Sequence, residues 1–162
     1  MGATKIKRPK IDDEKVIVAA LKKYEKEIAA HNLDEQTLIS SYRPFCDGFE
    51  WAKELESRFG YQGSMSLAEF LDGLSSAIFW QCDKEVKRWV KEQGIKPKLS
   101  VGDKFSFTDP YEFEGVEMEV VGISAETACY LVQSKGHERY PLGGTTRRFL
   151  TFEEVECLPL IK

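Results

Sequence analysis

The spacing of apolar residues changes once along this chain, from a helical period to a strand period, and the change falls at Pro97. Before Pro97, apolar side chains recur every three or four residues, and after it they alternate with polar ones. Gly94 is a typical helix stop, and the proline that follows prevents the helix from restarting. The sequence therefore predicts an α+β protein with a small helical domain at residues 12–94, a linker at 95–98 and a β domain at 99–162.

The helical domain is predicted to hold about four helices. Apolar residues at helical spacing predict a first helix from Asp12 to about Asn32. A short second helix starts at Asp34 and must end before Pro44, because the residue before a proline avoids the helical conformation. Residues 1–11 show no apolar period and carry cations without an acid, so they are predicted to form a flexible basic arm.

Two capping boxes mark the starts of the remaining helices. In a capping box, an N-cap side chain stands three residues before a Glu that bonds back to the N-cap backbone. Asp47 with Glu50 and Ser66 with Glu69 fit this pattern. The helix that follows Ser66 is predicted to be long, to bury one apolar face and to end at Gly94.

The β domain is predicted to hold roughly five or six short strands, because strand-forming residues alternate between turn signals. Short strands in such number favour a small, strongly bent antiparallel barrel. Residues 101–107 are predicted to form a turn and a strand, and the further predicted strands are residues 116–124, 127–133, 139–142, 147–152 and 155–161.

The segments LSVGDKFSF, EGVEMEVVGI, ACYLVQ and FEEVECLPLI resemble the strands of an SH3-like barrel of the KOW or Tudor kind. The resemblance covers residues 99–162 and implies an SH3-like β-barrel domain. Barrels of this kind commonly bind nucleic acid or transcription machinery, so it also implies such partners. The chain length, the helical first half and the KOW-like end are similar to the MotB family of transcription modifiers of T-even bacteriophages. That family is linked to DNA binding and to altered host and phage gene expression.

The net charge is −4, yet the positive charge is gathered in three blocks. Residues 1–10 carry +4, residues 84–98 carry +4 and residues 135–148 carry +3, so the rest of the chain carries −15. A polyanion responds to the local charge of a protein surface rather than to its net charge. Lys and Arg side chains release counterions when they bind phosphates, so the three blocks are predicted to bind nucleic acid, most simply double-stranded DNA.

The predicted nucleic-acid-binding residues come from all three blocks, and one aromatic residue among them suits stacking on bases. Each block taken alone is also typical of a solvated charged surface, and cations near a helix C-terminus stabilise its dipole. The predicted residues are Lys5, Lys7, Arg8, Lys10, Lys84, Lys87, Arg88, Lys91, Lys96, Lys98, Lys135, Arg139, Tyr140, Arg147 and Arg148.

The sequence contains none of the motifs GxSxG, GxGxxG or HExxH, and no P-loop. His31 and His137 have no partner at a meaningful spacing, and the four cysteines form no CxxC pair. We therefore predict that the protein has no catalytic residues, no metal site and no cofactor, and that it is not an enzyme.

These observations predict a largely sequence-nonspecific DNA-binding protein that modulates transcription or nucleoid organisation. No apolar run approaches the roughly 20 residues of a membrane span, and the basic N-terminus is not followed by the apolar region of a secretory signal. We expect a cytoplasmic protein, in the host cytoplasm or nucleoid if a phage encodes it. Transcription machinery or another host protein is a further expected partner.

The alternative prediction is an acidic protein–protein interaction module, or an inhibitor of a host nucleic-acid enzyme that acts as a DNA mimic. Residues 109–119 are rich in Asp and Glu, and carboxylates in that density can replace the phosphates of DNA. Glu117 and Glu119 alternate with apolar residues, which is equally typical of a half-buried strand.

Overall fold

The computed structural model describes residues 7–108, 115–134 and 147–161. It divides into two compact units, Met1–Trp89 and Val90–Lys162, which we call the helical unit and the sheet unit. Helices dominate the described part of the first unit and an antiparallel sheet dominates that of the second. The α+β class that the change of period predicts is therefore confirmed.

Five helices precede Pro97 among the described residues, and their apolar sides pack into one core. Trp51, Leu55, Leu71 and Leu74 are at most 1% exposed in this core. Burying a side chain of this size stabilises the fold by about 1.5–3 kcal/mol. The helices are α1 (Glu14–Leu21), α2 (Glu25–Ala30), α3 (Glu35–Ser41), α4 (Gly48–Phe59) and α5 (Met65–Gln93).

The single helix predicted from Asp12 to Asn32 is wrong, because the chain turns between α1 and α2. Lys23 N donates to Ala20 O at 3.1 Å and Tyr24 N donates to Leu21 O at 2.8 Å. These three-residue bonds tighten the last turn of α1 and end it. Ile28 of α2 is buried and still joins the core.

The predicted N-cap of α4 is confirmed, since Asp47 Oδ1 accepts a hydrogen bond from Glu50 N at 2.7 Å. The predicted start of α5 at Ser66 is wrong by two residues. Ser64 is the cap, and its Oγ accepts from Leu67 N at 3.1 Å. Gly94 ends α5 in the left-handed region, at φ 60°, as predicted.

The sheet unit contains five antiparallel strands in the order β4-β3-β2-β1-β5 among its described residues. A one-turn helix, α6 (Phe152–Val155), separates the last two strands. The strand predicted at 155–161 is therefore wrong in its first half, and the strand predicted at 139–142 lies outside the described residues. The strands are β1 (Lys104–Phe107), β2 (Val116–Ser124), β3 (Cys129–Ser134), β4 (Arg147–Thr151) and β5 (Leu160–Ile161).

One face of this sheet is buried, and the sheet coils around that face. Phe105, Met118 and Val132 on it are fully buried. In a flat sheet β4 and β1 would lie about 14 Å apart, three strand spacings. Yet the guanidinium carbon of Arg148 on β4 lies 4.5 Å from the ring centroid of Phe107 on β1. The sheet is thus strongly coiled but open, with β4 and β5 as its edges in the described part.

Candidate nucleic-acid interface

The basic residues before α1 lie beside the second half of α5. The guanidinium carbon of Arg8 is 5.8 Å from the ring centroid of Trp89, a cation–π contact that holds the segment on the helix. Lys7 and Arg88 line the same groove. The structure therefore brings part of the first predicted block next to part of the second. Lys10 is exposed, and Lys5 lies outside the described residues.

The groove between this segment, α1 and α5 has a volume of about 910 Å³. Its walls mix cations and carboxylates in equal number, so its charges balance. A phosphate in this groove would meet repulsion as well as attraction, and the groove alone does not form an anion site. The charged lining residues are Lys7, Lys15, Arg88, Asp13, Glu14 and Glu85.

A surface on which the exposed charged residues are all cations lies on the outer side of α5, the side that faces away from the core. Successive residues of an α-helix are about 100° apart, so Trp80, Lys84 and Lys87 fall within about 60° of one another, and Arg88 lies about 40° beyond Lys84. All four side chains are exposed. We call these four residues the α5 basic face.

Two cations of the α5 basic face already have acidic neighbours on the helix. Lys87 Nζ lies 3.0 Å from a carboxylate oxygen of Asp83, and the guanidinium of Arg88 contacts the carboxylate of Glu85. Exposed pairs one helical turn apart stabilise by only about 0.3–0.5 kcal/mol. A phosphate, which accepts strong charge-assisted hydrogen bonds, can displace such weak partners.

Trp80 is the residue of this face that the sequence analysis missed. It is 67% exposed, whereas Trp51 is 1% and Trp89 is 6% exposed. Its indole packs edge-on against Phe79, with ring centroids 5.6 Å apart. A signal was present in the sequence: Trp80 stands two positions after the buried Ile78, about 200° around the helix and so on the outer side.

The remaining predicted residues of the second block belong to the sheet unit. Lys91 and Lys96 are exposed. Lys98 has a structural partner instead, because its Nζ lies 2.7 Å from Glu156 Oε2. Lys98 N and Leu99 N both donate to the hydroxyl of Tyr130 at 3.0 Å, and that hydroxyl donates to Glu156 Oε1 at 3.0 Å.

This network shifts the acidity of Glu156. Burial raises the pKa of the carboxyl, but hydrogen bonds from the side chain and backbone of Lys98 and from Tyr130 outweigh burial. The net pKa of Glu156 therefore lies below its ordinary value. Lys98 is bound to a partly buried carboxylate that anchors the entry to the sheet unit.

The third predicted block is divided by the alternation of β4. Arg147 points to the outward face of the sheet, where its Nε donates to Gln133 Oε1 at 2.9 Å. Arg148 points to the opposite face, over Phe107. Phe149 shares the outward face with Arg147 and is 67% exposed. The other residues of this block, Lys135, Arg139 and Tyr140, lie outside the described residues.

The acidic segment of the alternative prediction is only partly described, since residues 109–114 are outside the described ranges. On β2, Glu117 and Glu119 occupy the outward face and Met118 the buried one, as the alternation predicts. Glu117 Oε1 lies 2.8 Å from Lys104 Nζ across the β1–β2 pair. One of the two carboxylates is thus already paired with a cation.

The described residues offer little for metal or covalent chemistry. Within these ranges no three His, Cys, Asp or Glu side chains come together as a metal site. Burial raises the pKa of the Cys46 and Cys82 thiols, so both favour the protonated, weakly nucleophilic form. His31 stacks on Phe70 with ring centroids 4.9 Å apart, a packing role at the end of α2.

Comparison of the chain with models of protein families, with characterised proteins and with solved structures finds no match. None of the helices in the described ranges combines the length and the apolar character that crossing a membrane requires. The class of site rests on its geometry: an exposed indole beside cations on one face of a long helix.

Proposed function

We propose that this chain is a non-enzymatic, largely sequence-nonspecific DNA-binding protein that modulates transcription or nucleoid organisation. The observation that carries the proposal is the α5 basic face. Lys84 lies one helical turn after Trp80, and Lys87 and Arg88 lie about two turns after it. Three cations on one exposed side of a rigid helix can contact consecutive phosphates without any rearrangement of the backbone.

The binding energy would come from counterion release. If three cations of this face contact duplex phosphates, the logarithm of affinity falls with the logarithm of salt concentration with a slope of about −2.7. Lys7 and Arg88 line the same groove, which brings one further cation close to the face. Phosphate contacts position a protein but carry no sequence information, so the binding is largely nonspecific.

The sheet unit is proposed to be an SH3-like barrel of the KOW or Tudor kind. Its coiled five-stranded antiparallel sheet supports this, as does a buried face closed by Phe152 and Val155 of α6. A barrel of this kind that follows a helical unit in the chain is the organisation that resembles the MotB family. That resemblance supports a role in gene expression, with transcription machinery as a second partner, in the cytoplasm or nucleoid of a host cell.

The test is a fluorescence-anisotropy titration with duplex DNA of random sequence at two salt concentrations. Charge reversal of the α5 basic face, K84E/K87E/R88E, should abolish most of the low-salt affinity and remove about 2.7 from the salt slope. K22E/K26E/K53E is a matched control, because it makes the same change in net charge at exposed positions elsewhere in the helical unit. Wild-type affinity in the α5 variant would contradict the proposal.

The alternative function is inhibition of a nucleic-acid enzyme by an acidic surface. Its supporting observation is that Glu117 and Glu119 share the outward face of β2. Competition distinguishes the two functions: bulk DNA should displace a labelled duplex from a DNA-binding protein. A DNA mimic would instead bind no duplex and would lose its enzyme partner to added DNA.

A further inference from the structure

The α5 basic face carries a feature that phosphate binding does not require. Trp80 leaves 67% of its surface exposed on the outer side of the helix. Burying the surface of an aromatic side chain is among the largest single contributions to folding, so an exposed indole forgoes stabilisation that the core could provide. The preceding residue, Phe79, is also 51% exposed, and exposed aromatic rings beside cations suit stacking on bases.

The contacts of Trp80 leave its ring available. Phe79, the preceding residue in the chain, touches it in an edge-on arrangement with an interplanar angle of 79°. An edge-on neighbour occupies one side of the indole and restricts its rotation without covering both faces. Gly73 lies two turns earlier, about 20° around the helix from Trp80, and has no side chain to cover the ring. Space beside Gly73 is open, with no atom within 4 Å of a Cβ built there.

We propose that Trp80 stacks on an unpaired base, so that the α5 basic face takes a segment of single-stranded nucleic acid. This inference rests on the proposed function and specifies its ligand. Lys84 and Lys87 lie about 6 and 10 Å further along the helix axis, where their long side chains contact the phosphates next to the stacked base. A base inside a duplex has both of its faces covered, so a duplex would use only the cations of this surface.

The charge around Trp80 favours this ligand over an apolar protein segment. Three of the exposed residues within about two turns after it are cationic, and the two that pair with Asp83 and Glu85 still leave 46% and 64% of their side chains exposed. Base–aromatic stacking accepts every base, because each has a π-face, and it operates together with a cationic track for the backbone. A single strand supplies both the rings and the phosphates that this surface fits.

The first experiment uses the fluorescence of the full chain. Trp80 is the exposed member of the three tryptophans, so it dominates the emission that acrylamide quenches. An oligothymidylate of about 16 nucleotides, the upper end of common single-strand sites, should quench this emission and protect it from acrylamide. An abasic oligonucleotide of equal length has the same phosphates without rings and should do neither. Trp80→Phe identifies the part of the emission that comes from Trp80, since the fluorescence of this variant should not change when the oligothymidylate is added.

The second experiment measures affinity. Trp80→Ala should weaken binding of the oligothymidylate by roughly 5- to 150-fold, the range expected for one stacked base. Its affinity for a duplex and for the abasic strand should stay within about twofold of wild type. Met65→Ala is the matched control, because Met65 is a 71% exposed apolar residue of the same helix. It lies about 22 Å from Trp80 along the axis, so its removal should change none of the affinities.

The outcomes separate this inference from the function on which it rests. Salt-sensitive duplex binding together with equal affinity for the oligothymidylate and the abasic strand would overturn the stacking inference and leave DNA binding intact. No binding to any of the three probes would overturn both. Protection of Trp80 by a protein partner, without any effect of the oligothymidylate, would reassign the surface and also overturn the inference.

Discussion

Two exposed aromatic residues, one in each unit, have the same exposure but different surroundings. Trp80 on α5 and Phe149 on β4 are both 67% exposed. Around Trp80 the helical period places Lys84 and Lys87 on the same side. Around Phe149 the strand period sends Arg148 to the opposite face, and Arg147 is hydrogen-bonded to a glutamine of β3.

The number of charges in a segment indicates the charge of a surface only when the period of the backbone is known. On a helix, residues four and seven apart share a side, so scattered cations gather. On a strand, neighbouring cations separate, so the pair Arg147 and Arg148 contributes at most one of its charges to any one face. The helical unit therefore holds the stronger candidate site, although both segments are basic in the sequence.

The largest effect we predict concerns the contact that holds α5 against α4. A Cβ at Gly48 would lie 2.0 Å from Ala68 O and 2.5 Å from Asp72 N, both backbone atoms of α5. Gly48→Ala must push the two helices apart, and we expect a loss of about 3 kcal/mol or more in the free energy of unfolding. Chemical denaturation checks this. An unchanged midpoint would mean that α4 and α5 are not in tight contact at Gly48.

The next prediction compares the two exposed aromatics directly. Trp80→Ala should weaken binding of a single strand by about 1–3 kcal/mol, whereas Phe149→Ala should change it by less than about 0.4 kcal/mol. Anisotropy titration of both variants with the same oligothymidylate measures the difference. Equal losses of affinity would show that the sheet unit binds bases as well, so the two exposed aromatics would not differ in function.

A third prediction separates a structural cation from a binding one. Tyr130→Phe removes the hydroxyl that accepts from Lys98 N and Leu99 N and donates to Glu156. The loss of these partners should lower the stability by about 1–3 kcal/mol, because Leu99 is buried. DNA affinity should not change. Tyr61→Phe is the control, since its hydroxyl bonds to an exposed carboxylate of Asp34 and should matter less.

The same network predicts a pH dependence. Although burial raises the pKa of Glu156, its hydrogen bonds hold the pKa below the ordinary value of 4.5, so the ionised form stabilises the folded state. This contribution is fully present above pH 4.5 and is lost as the pH falls through the lower folded-state pKa. Glu156→Gln should therefore lose less stability than wild type between neutral pH and pH 4 or below. Parallel curves of unfolding free energy against pH would contradict this role.

The fold class could be predicted because the spacing of apolar residues depends on many positions. A single residue that departs from the spacing does not hide it. Single local signals were less reliable. Ser66 fits a capping box with Glu69, but Ser64 comes first and already caps the helix. The helix α6 was missed although Thr151 and Glu154 form a capping box, because the apolar residues after Val155 favoured a strand.

The candidate site could be predicted only in part. The positions of Lys84 and Lys87 follow from the helical period, and Trp80 could have been found in the same way. The contact of Arg148 with Phe107 could not, because it depends on how strongly the sheet coils, which many side chains decide together. The carboxylate that binds Lys98 is likewise 58 residues away in the sequence.

The smallest predicted effect comes from Gly73, which lies on the outer side of the same helix that Gly48 contacts. It is exposed and has no atom within 4 Å of a built Cβ, so an alanine there meets nothing. Glycine in an exposed helix interior is about 0.5–1 kcal/mol less favourable than alanine. Gly73→Ala should therefore stabilise the chain by that amount, opposite in sign to Gly48→Ala, and leave the Trp80 ring exposed. A thermal unfolding scan measures the stability, and acrylamide quenching measures the exposure of the Trp80 ring. Destabilisation, or a change in quenching, would mean that the outer side of α5 is already in contact with another part of the chain.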